Sequence, residues 1–316
     1  MRKTVNKTRI EGRIYDHDLE LKVSGANSKN PGTEFITGNL NVATDDAGIN
    51  VVPVHFTYVT ATTSSGKSNS TFNTLKGIID GSYKTVIKDG ADNASLVSID
   101  SAIGLNEFFS DRNGKEELVS AKRNEGGFVH IVNTINSNEL TRNTFDCDII
   151  INRVTHFEAD EEKGTAERAI VKGMVFDFRG ALLPVELVAL DTNAIAYFES
   201  LEASDSSPVF TRVWGKQISQ TIVKTYTVES AFGGPEVREV PSTRKEFVIT
   251  GANPSTYEWD EEGSITAQEL KNLLAERETY VATIKKRQDE YKASKQNSVP
   301  AVAPKATAPA TQDFKF

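Results

Sequence analysis

The chain contains 316 residues, 38% hydrophobic and 25% charged, with 36 basic and 44 acidic residues and a net charge of -8. This composition indicates a globular protein of about two domains, and it excludes a globally basic nucleic-acid binder. A single cysteine excludes a disulfide framework within the chain, and no stretch approaches the roughly 18 apolar residues of a membrane span. One thiol, and a basic N-terminus with no apolar run behind it, favour a location in the cytoplasm.

Residues 5–250 are predicted to be mainly β-structure, because runs of Val, Ile, Thr, Tyr and Phe are broken by Gly, Asn, Asp and Ser. The elements expected in the first half are strands over about 5–23, 34–44 and 50–60, a helix over 71–80, and strands between 95 and 134. Those expected in the second half are strands over about 145–157, 168–179 and 182–190, a helix over 192–201, and strands over 208–219 and 221–250.

The two halves share an internal repeat. Residues 51–59 and 182–190 both follow the pattern apolar-apolar-Pro-Val-polar-apolar, and each is preceded by a strand with an internal glycine and followed by a short helix. Three strands, a helix and two more strands form the order of the OB fold, a small five-stranded barrel, and glycine allows the bend that such a barrel needs. We therefore expect two tandem OB-like barrels, with a pair of β-sandwiches as the alternative.

The C-terminal part has a different character. Thr266 and Glu269 fit a capping box, and apolar residues then recur at helical spacing, which predicts a helix from about Ala267 to Ala293. This helix either packs on the body of the protein, which we favour, or forms a short coiled coil. A Pro/Ala-rich stretch follows that cannot build a core. The expected domains are 1–140 and 141–255 as OB-like barrels, 264–295 as the helix and 296–316 as a disordered tail.

A segment from Ala61 to Ser68 partly matches a phosphate-binding loop. It follows a strand, precedes a helix and contains Gly66-Lys67-Ser68. The first glycine of that motif is replaced by Ala61, however, and such loops belong to parallel sheets flanked by many helices. We therefore expect no enzymatic activity and no cofactor, and keep an NTPase as a third and weaker hypothesis.

The other candidate catalytic and metal-binding groups are also weak. Asp16 with Asp18, or Asp146 with Asp148, would share a strand face and offer oxygen ligands to Mg²⁺. The sequence places no further carboxylate beside them, so we interpret both pairs as exposed strand faces and expect no metal site. Cys147 is interpreted as a buried and inert thiol.

Aromatic and basic residues on the strands suggest a nucleic-acid surface. In the segment 210–216 strict alternation places Arg212, Trp214 and Lys216 outward together if Val213 faces the core. An outward Trp beside cations is a platform on which a base stacks, whereas the opposite phase buries Trp214. The full set of candidate contacts is Phe56, Tyr58, Arg112, Lys115, Lys122, Arg123, Arg168, Lys172, Arg179, Arg212, Trp214, Lys216, Lys224 and Tyr226.

Two OB-like repeats, an acidic chain, a Pro/Ala-rich linker and a terminal phenylalanine resemble single-stranded DNA-binding proteins, in a bacteriophage version with two barrels in one chain. The resemblance is architectural and covers residues 5–250 and the tail. It implies that Asp313, Phe314 and Phe316 dock into partner proteins. The bacterial family has a strongly acidic tail that ends in Pro-Phe, whereas this chain ends in Asp-Phe-Lys-Phe.

The resemblance implies sequence-tolerant binding of single-stranded DNA in phage DNA replication or recombination, in the cytoplasm of the bacterial host. Replication or recombination proteins are the expected partners of the tail. A homo-oligomer is possible and no membrane is involved. The alternative function is a phage structural protein, such as a tail, baseplate or assembly component, that is built from the same β-domains.

Overall fold

The fold was analysed in a computed structural model of the chain. It describes residues 4–112, 114–160, 165–228, 232, 234, 236–260 and 264–297. At positions 112, 222–226, 228, 236, 238–242 and 295–297 it describes the backbone but not the side chain.

The first half of the chain forms a closed barrel. Its elements are β1 (Asn6–His17), β2 (Glu20–Val23), β3 (Glu34–Ala43), β4 (Val51–Thr60), α1 (Ser70–Ile79), α2 (Val86–Asp89), β5 (Leu96–Arg112) and β6 (Lys115–Val132). Strand β1 pairs with β3 and β5, β3 with β4, β4 in parallel with β6, and β6 with β5, so the sheet closes on itself. Five strands in this spatial order, with a helix between the third and fourth, form an OB fold.

The second half repeats this topology. Its elements are β7 (Asn143–Phe157), β8 (Arg168–Phe176), β9 (Leu182–Ala189), α3 (Thr192–Ser200), β10 (Val209–Val228) and β11 (Glu236–Ala252). Strand β7 pairs with β8 and β10, β8 with β9, β9 in parallel with β11, and β11 with β10. The expectation of two OB-fold barrels is therefore confirmed over the β-sandwich alternative, because each sheet closes.

The internal repeat marks corresponding places in the two barrels. The segments 51–59 and 182–190 correspond to β4 and β9, the third barrel strands. Gly38 and Gly173 each lie where the register shifts, so both strands bend there. A Cβ atom at Gly38 would lie 2.5 Å from the carbonyl oxygen of Asp18, and one at Gly173 would lie 2.4 Å from that of Ile150. Glycine is thus required at both bends because the neighbouring backbone passes too close for any side chain.

The barrels share one continuous sheet. Strands β1 and β7 pair antiparallel from Asn6 opposite Cys147 to Ile10 opposite Asn143. Beyond the ladder, the backbone nitrogen of Val5 donates to Asp148 Oδ2 at 2.7 Å, and the backbone nitrogen of Asp148 donates to the Val5 carbonyl at 2.8 Å. The first strand of each barrel therefore fixes the position of the other barrel.

Helix α4 (Ala267–Asn297) packs across both barrels, as the sequence favoured. Its capping box is present, since the Glu269 backbone nitrogen donates to Thr266 Oγ1 at 3.0 Å and the Thr266 backbone nitrogen donates to Glu269 Oε2 at 2.9 Å. Leu270 and Leu273 pack on a cluster around Phe210 in the second barrel. Farther along, α4 contacts β5 of the first barrel.

Some predicted boundaries were wrong. The strand expected over 5–23 is divided into β1 and β2. Between them the Asp18 side chain accepts hydrogen bonds from the backbone nitrogen and the side chain of Asn39, and these bonds replace the regular backbone pairing of a strand. The break expected near residue 220 is absent, and β10 continues to Val228. The sequence Gly-Gly-Pro at 233–235 is a stronger turn signal than anything near residue 220. Helix α4 continues to Asn297 instead of ending near Ala293.

Among the described residues, no helix is long and apolar enough to cross a membrane.

The contact between α4 and β5 gives a test of the fold. Arg277 Nη1 donates to Glu107 Oε2 at 2.7 Å, and the two side chains are only 10% and 3% exposed. Arg277→Ala leaves the Glu107 carboxylate buried without its partner, so we expect the free energy of unfolding to fall by about 3 kcal/mol in urea titration. Arg287→Ala, at an exposed position of the same helix, is the control and should change it by less than about 0.5 kcal/mol. Equal effects would contradict the packing of α4 on β5.

Candidate nucleic-acid interface

A groove runs between the two barrels, which we call the first groove. Its floor is the outer face of β3 and β4 in the first barrel, and its opposite wall is the hairpin of β10 and β11 from the second barrel. It has a volume of about 920 Å³. Its lining residues are Tyr15, Asp16, Asn39, Asn41, Gly48, Ile49, Val51, Pro53, His55, Asn106, Ala121, Lys122, Arg123, Ser219, Thr221, Thr243 and Lys245.

The floor of the first groove is a polar network on three strands. Asn41 Nδ2 donates to Asp16 Oδ1 at 2.5 Å, and Asn39 Nδ2 donates to Asp18 Oδ2 at 2.8 Å. His55 Nδ1 lies 3.0 Å from Asn39 Oδ1. These bonds hold the amide and imidazole groups in place before any ligand binds, so the floor offers fixed hydrogen-bonding groups.

Positive charge lies on the walls of this groove. Lys245 on β11 is exposed and makes no ion pair with any residue that the structure describes. Arg123 on β6 pairs with Glu125. Burial, and then the nearby charge of Arg123, hold the pKa of His55 below its ordinary value, so the imidazole is neutral at pH 7. The groove therefore presents cations beside neutral polar groups, with Asp16 as its acid.

A second groove lies at the corresponding place of the second barrel. Its floor is the outer face of β8 and β9, and its wall is β6 from the first barrel. Its volume is about 400 Å³. Its lining residues are Ser120, Lys122, Asn152, Arg153, Lys172, Gly173, Met174, Pro184, Val185, Glu186 and Asp205.

Three of the predicted contacts line these grooves. Arg123 lies in the first groove, Lys172 in the second, and Lys122 between the two. Lys122 is a correction: its Nζ donates to the Glu186 carbonyl and lies 5.6 Å from the centre of the Phe247 ring, and burial lowers its pKa. It holds β6 against the second barrel and is not a free phosphate contact.

Phe56 is a second correction. Its side chain is fully buried in the core of the first barrel, so it has no face for a base to stack on. Tyr58 is 46% exposed and lies against Phe35, with ring centroids 4.5 Å apart. Sequence alternation alone did not reveal that these two aromatic side chains have opposite environments.

Of the two phases that the sequence left open for Arg212, Trp214 and Lys216, the structure has the outward one. Val213 is fully buried and Trp214 is 40% exposed. Arg212 Nε donates to Asp146 Oδ1 at 2.7 Å, which raises the pKa of Arg212. Trp214 lies five residues before Ser219 on β10, a distance of about 17 Å along a strand, so the structure does not bring it into the first groove.

The remaining predicted contacts are scattered. Arg168 binds Glu246 at 2.8 Å, while Lys115 and Arg179 are exposed away from both grooves. For Arg112, Lys224 and Tyr226 only the backbone is described, and the tail residues Asp313, Phe314 and Phe316 lie outside the described residues.

Several groove residues were missed from the sequence. Tyr15, Asn39, Asn41, His55 and Lys245 line the first groove, and none of them was among the predicted contacts. The usable signal was the alternation of polar residues with buried ones along β3 and β4. This alternation by itself does not show which barrel face a second barrel covers.

Other candidate sites have structural explanations. In the loop 61–68, the Thr63 nitrogen donates to the Lys67 carbonyl at 2.8 Å and the Gly66 nitrogen to the Thr63 carbonyl at 2.9 Å. These amides are already bonded and do not surround a phosphate. Cys147 is fully buried, which raises the pKa of its thiol.

One described cluster, formed by His156, Glu158 and Glu167, has the residue types of a metal site, with ligand atoms within 4.8 Å of one another. Its imidazole is already bonded on both sides, 2.9 Å from Glu167 and 3.0 Å from Glu199. Although burial opposes it, this pairing raises the pKa of His156 above its ordinary value. The cluster is thus explained as a histidine held between carboxylates of the same chain.

Two closed barrels with a polar groove between them define an OB-fold protein. Residues 4–296 match the family YorF, and the chain belongs to this family. No curated protein matches the chain.

Solved structures with a similar course of the chain include the wild-type single-stranded DNA binding protein from Thermus aquaticus. It has 10% identity and a TM-score of 0.44, over 82% of this chain and 96% of that one. A deletion mutant of the same protein has 9% identity and a TM-score of 0.43, over 83% of this chain and 98% of that one. A Replication Protein A heterotrimer bound to ssDNA gives 11% identity and a TM-score of 0.21, over 86% of this chain and 69% of that one.

The assignment of Phe56 to the core is testable by comparison with its neighbour. We expect Phe56→Ala to lower the free energy of unfolding by about 3–5 kcal/mol, because it leaves a cavity in a closed barrel. Tyr58→Ala should cost only about 1 kcal/mol, since it removes one exposed aromatic contact. Urea unfolding of both variants measures the difference, and similar losses would show that the two side chains are buried alike.

Proposed function

We propose that this protein binds single-stranded DNA in the first groove, with little dependence on sequence. The observation that carries the proposal is the position of the groove, on the outer face of the second and third strands of an OB barrel. This is the face with which OB folds bind oligonucleotides. The opposite wall supplies Lys245, and β6 supplies Arg123, for contact with phosphates.

The charge distribution supports a local site on an acidic protein. The chain carries a net charge of -8, yet the described lining of the first groove contains Arg123 and Lys245 besides the committed Lys122, and one acid, Asp16. Affinity for nucleic acid follows the local field and not the net charge. Binding that depends on a few phosphate contacts weakens as salt is added, because those contacts release condensed counterions.

The shape of the groove favours a single strand over a duplex. Its floor has fixed amide and imidazole groups from Asn39, Asn41 and His55, which reach base edges only when these are unpaired. Tyr15 is the aromatic side chain of the lining and offers a surface for stacking. Polar groups of both donor and acceptor type suit more than one base, which is consistent with low sequence dependence.

The proposal also covers the biological role of the protein, its location and its partners. We propose a non-enzymatic role in phage DNA replication or recombination, in the cytoplasm of a bacterial host, with replication or recombination proteins as partners. The sequence basis is the Pro/Ala-rich tail that ends in Asp313, Phe314, Lys315 and Phe316. A tail with no large apolar residue before its tip remains available to a second protein while the groove holds DNA.

Fluorescence anisotropy with a labelled oligo-dT of about 16 nucleotides, the upper site size of one OB fold, tests DNA binding. We expect binding that weakens with salt by about 0.7 logarithmic units per phosphate contact for each tenfold rise in salt. A duplex of the same length is the control and should bind more weakly. Absence of binding at low salt would contradict the proposal and favour a structural role in the virus particle.

Removal of residues 298–316 tests the role of the tail. We expect the shortened protein to bind oligo-dT as well as the full chain, because the groove residues all precede residue 246. Recovery of replication proteins with the tagged protein from infected cells should be lost in the shortened form and in Phe314→Ala/Phe316→Ala. Lys315→Ala serves as the control for the tip. Unchanged recovery in the double variant would contradict the tail proposal.

A further inference from the structure

The two barrels contribute to the grooves in a reciprocal way. The face of β3 and β4 is opposed by a hairpin from the second barrel, and the face of β8 and β9 is opposed by strand β6 from the first. The topology alone would therefore provide two equivalent binding sites in one chain. The side chains of the two grooves, however, differ in a way that separates their functions.

The second groove is occupied by the protein's own contacts. Lys172 binds Glu186 at 2.6 Å, Arg153 lies 3.8 Å from Asp205, and Asn152 Nδ2 donates to Asp205 at 2.7 Å. Glu186 also accepts, through its carbonyl, the hydrogen bond from Lys122 that joins β6 to β9. Each cation of this groove thus faces an acceptor of the same chain, and its two carboxylates repel phosphate.

The strand that covers the second groove is also held from outside. Helix α4 contacts the β5–β6 hairpin through the buried pair of Arg277 and Glu107. Gln288 Oε1 accepts a hydrogen bond from the Phe109 backbone nitrogen at 2.8 Å, and Lys292 Nζ lies 3.0 Å from Glu116. Because α4 is also packed on the second barrel, it ties this hairpin to that barrel. The covering strand therefore cannot move away without breaking contacts along the helix.

The first groove is wider and holds fewer such contacts among the described residues, although its Arg123 pairs with Glu125 on the same strand. Its volume of about 920 Å³ is more than twice the 400 Å³ of the second groove. Lys245 has no acidic partner among the described side chains, and the acid Asp16 is already bonded to Asn41. Lys245 and the polar floor groups therefore remain available to a ligand here.

We infer that the two OB barrels are not equivalent: single-stranded DNA enters the first groove alone, and the second groove is kept narrow by the β6 strand that α4 holds in place. The inference rests on the proposed function, because it assigns the DNA to one of two grooves. It predicts one bound DNA segment per chain, with phosphate contacts from Arg123 and Lys245 and none from Arg153 or Lys172.

Two double variants that remove the same charge test this assignment. Arg123→Gln/Lys245→Gln changes the first groove, and Arg153→Gln/Lys172→Gln changes the second. We expect the first pair to reduce the slope of log K against log salt by about 1.4, from two lost contacts of about 0.7 each, and to weaken binding to oligo-dT. The second pair should leave both the slope and the affinity unchanged.

A second measurement maps the DNA without changing the protein. Ultraviolet cross-linking of a thiothymidine oligonucleotide, followed by mass spectrometry, should label peptides from β3, β4 and β11. Peptides from β8 and β9 should stay unlabelled. Unfolding curves of each double variant in urea confirm that both remain folded at the concentration used.

The outcomes separate the inference from the proposed function. Equal loss of slope in the two double variants, or cross-links to β8 and β9, would overturn the assignment while leaving DNA binding established. A loss in the second pair alone would also overturn it. Absence of any binding by the unmodified protein would refute the proposed function itself, and with it the assignment.

Discussion

The antiparallel pairing of β1 with β7 is the contact on which the rest of the structure depends. It joins the first strand of one barrel to the first strand of the other, from Asn6 opposite Cys147 to Ile10 opposite Asn143. A ladder of backbone hydrogen bonds has a definite register, since a shift by one residue would turn every side chain to the opposite face. The relative position of the barrels is therefore set by the backbone, and each barrel lies beside the outer face of the second and third strands of the other.

Buried polar contacts make this arrangement specific. Asn124 on β6 and Gln217 on β10 exchange two hydrogen bonds of 2.9 and 3.0 Å, and Asn143 Nδ2 donates to the Gln217 carbonyl at 2.8 Å. Asn50 accepts from the Ser219 backbone nitrogen at 2.6 Å. Buried amides that lose their partners are costly, so these contacts oppose any other docking of the β10–β11 hairpin. The width of the first groove follows from them.

The same scaffold gives its two grooves different chemical properties. In the first groove, the Asp16 carboxylate accepts a hydrogen bond from the Asn41 amide, and Lys245 remains available on the wall. In the second, Glu186 and Asp205 lie opposite the cations. A duplicated fold therefore need not carry a duplicated site, because a few charged side chains and one bracing helix change what each face offers to a ligand.

The sequence by itself determined the two-barrel architecture and the helix α4, whereas it left the phase of Trp214 open. The determined features depend on local patterns: a repeated Pro-Val strand, glycines at two bends and a capping box. Such patterns act through neighbours a few residues apart, so they can be recognised in the chain alone.

Only the tertiary structure decided which residues form the grooves. It buried Phe56 and committed Lys122 to a contact 64 residues away, although both resemble surface residues of a DNA-binding strand. It also placed Asn39 and Lys245 in one groove, although they belong to different barrels. The physical reason is that a groove between barrels depends on the register of β1 with β7 and on how the hairpins pack. Those contacts join residues far apart in the chain, and no local pattern encodes them.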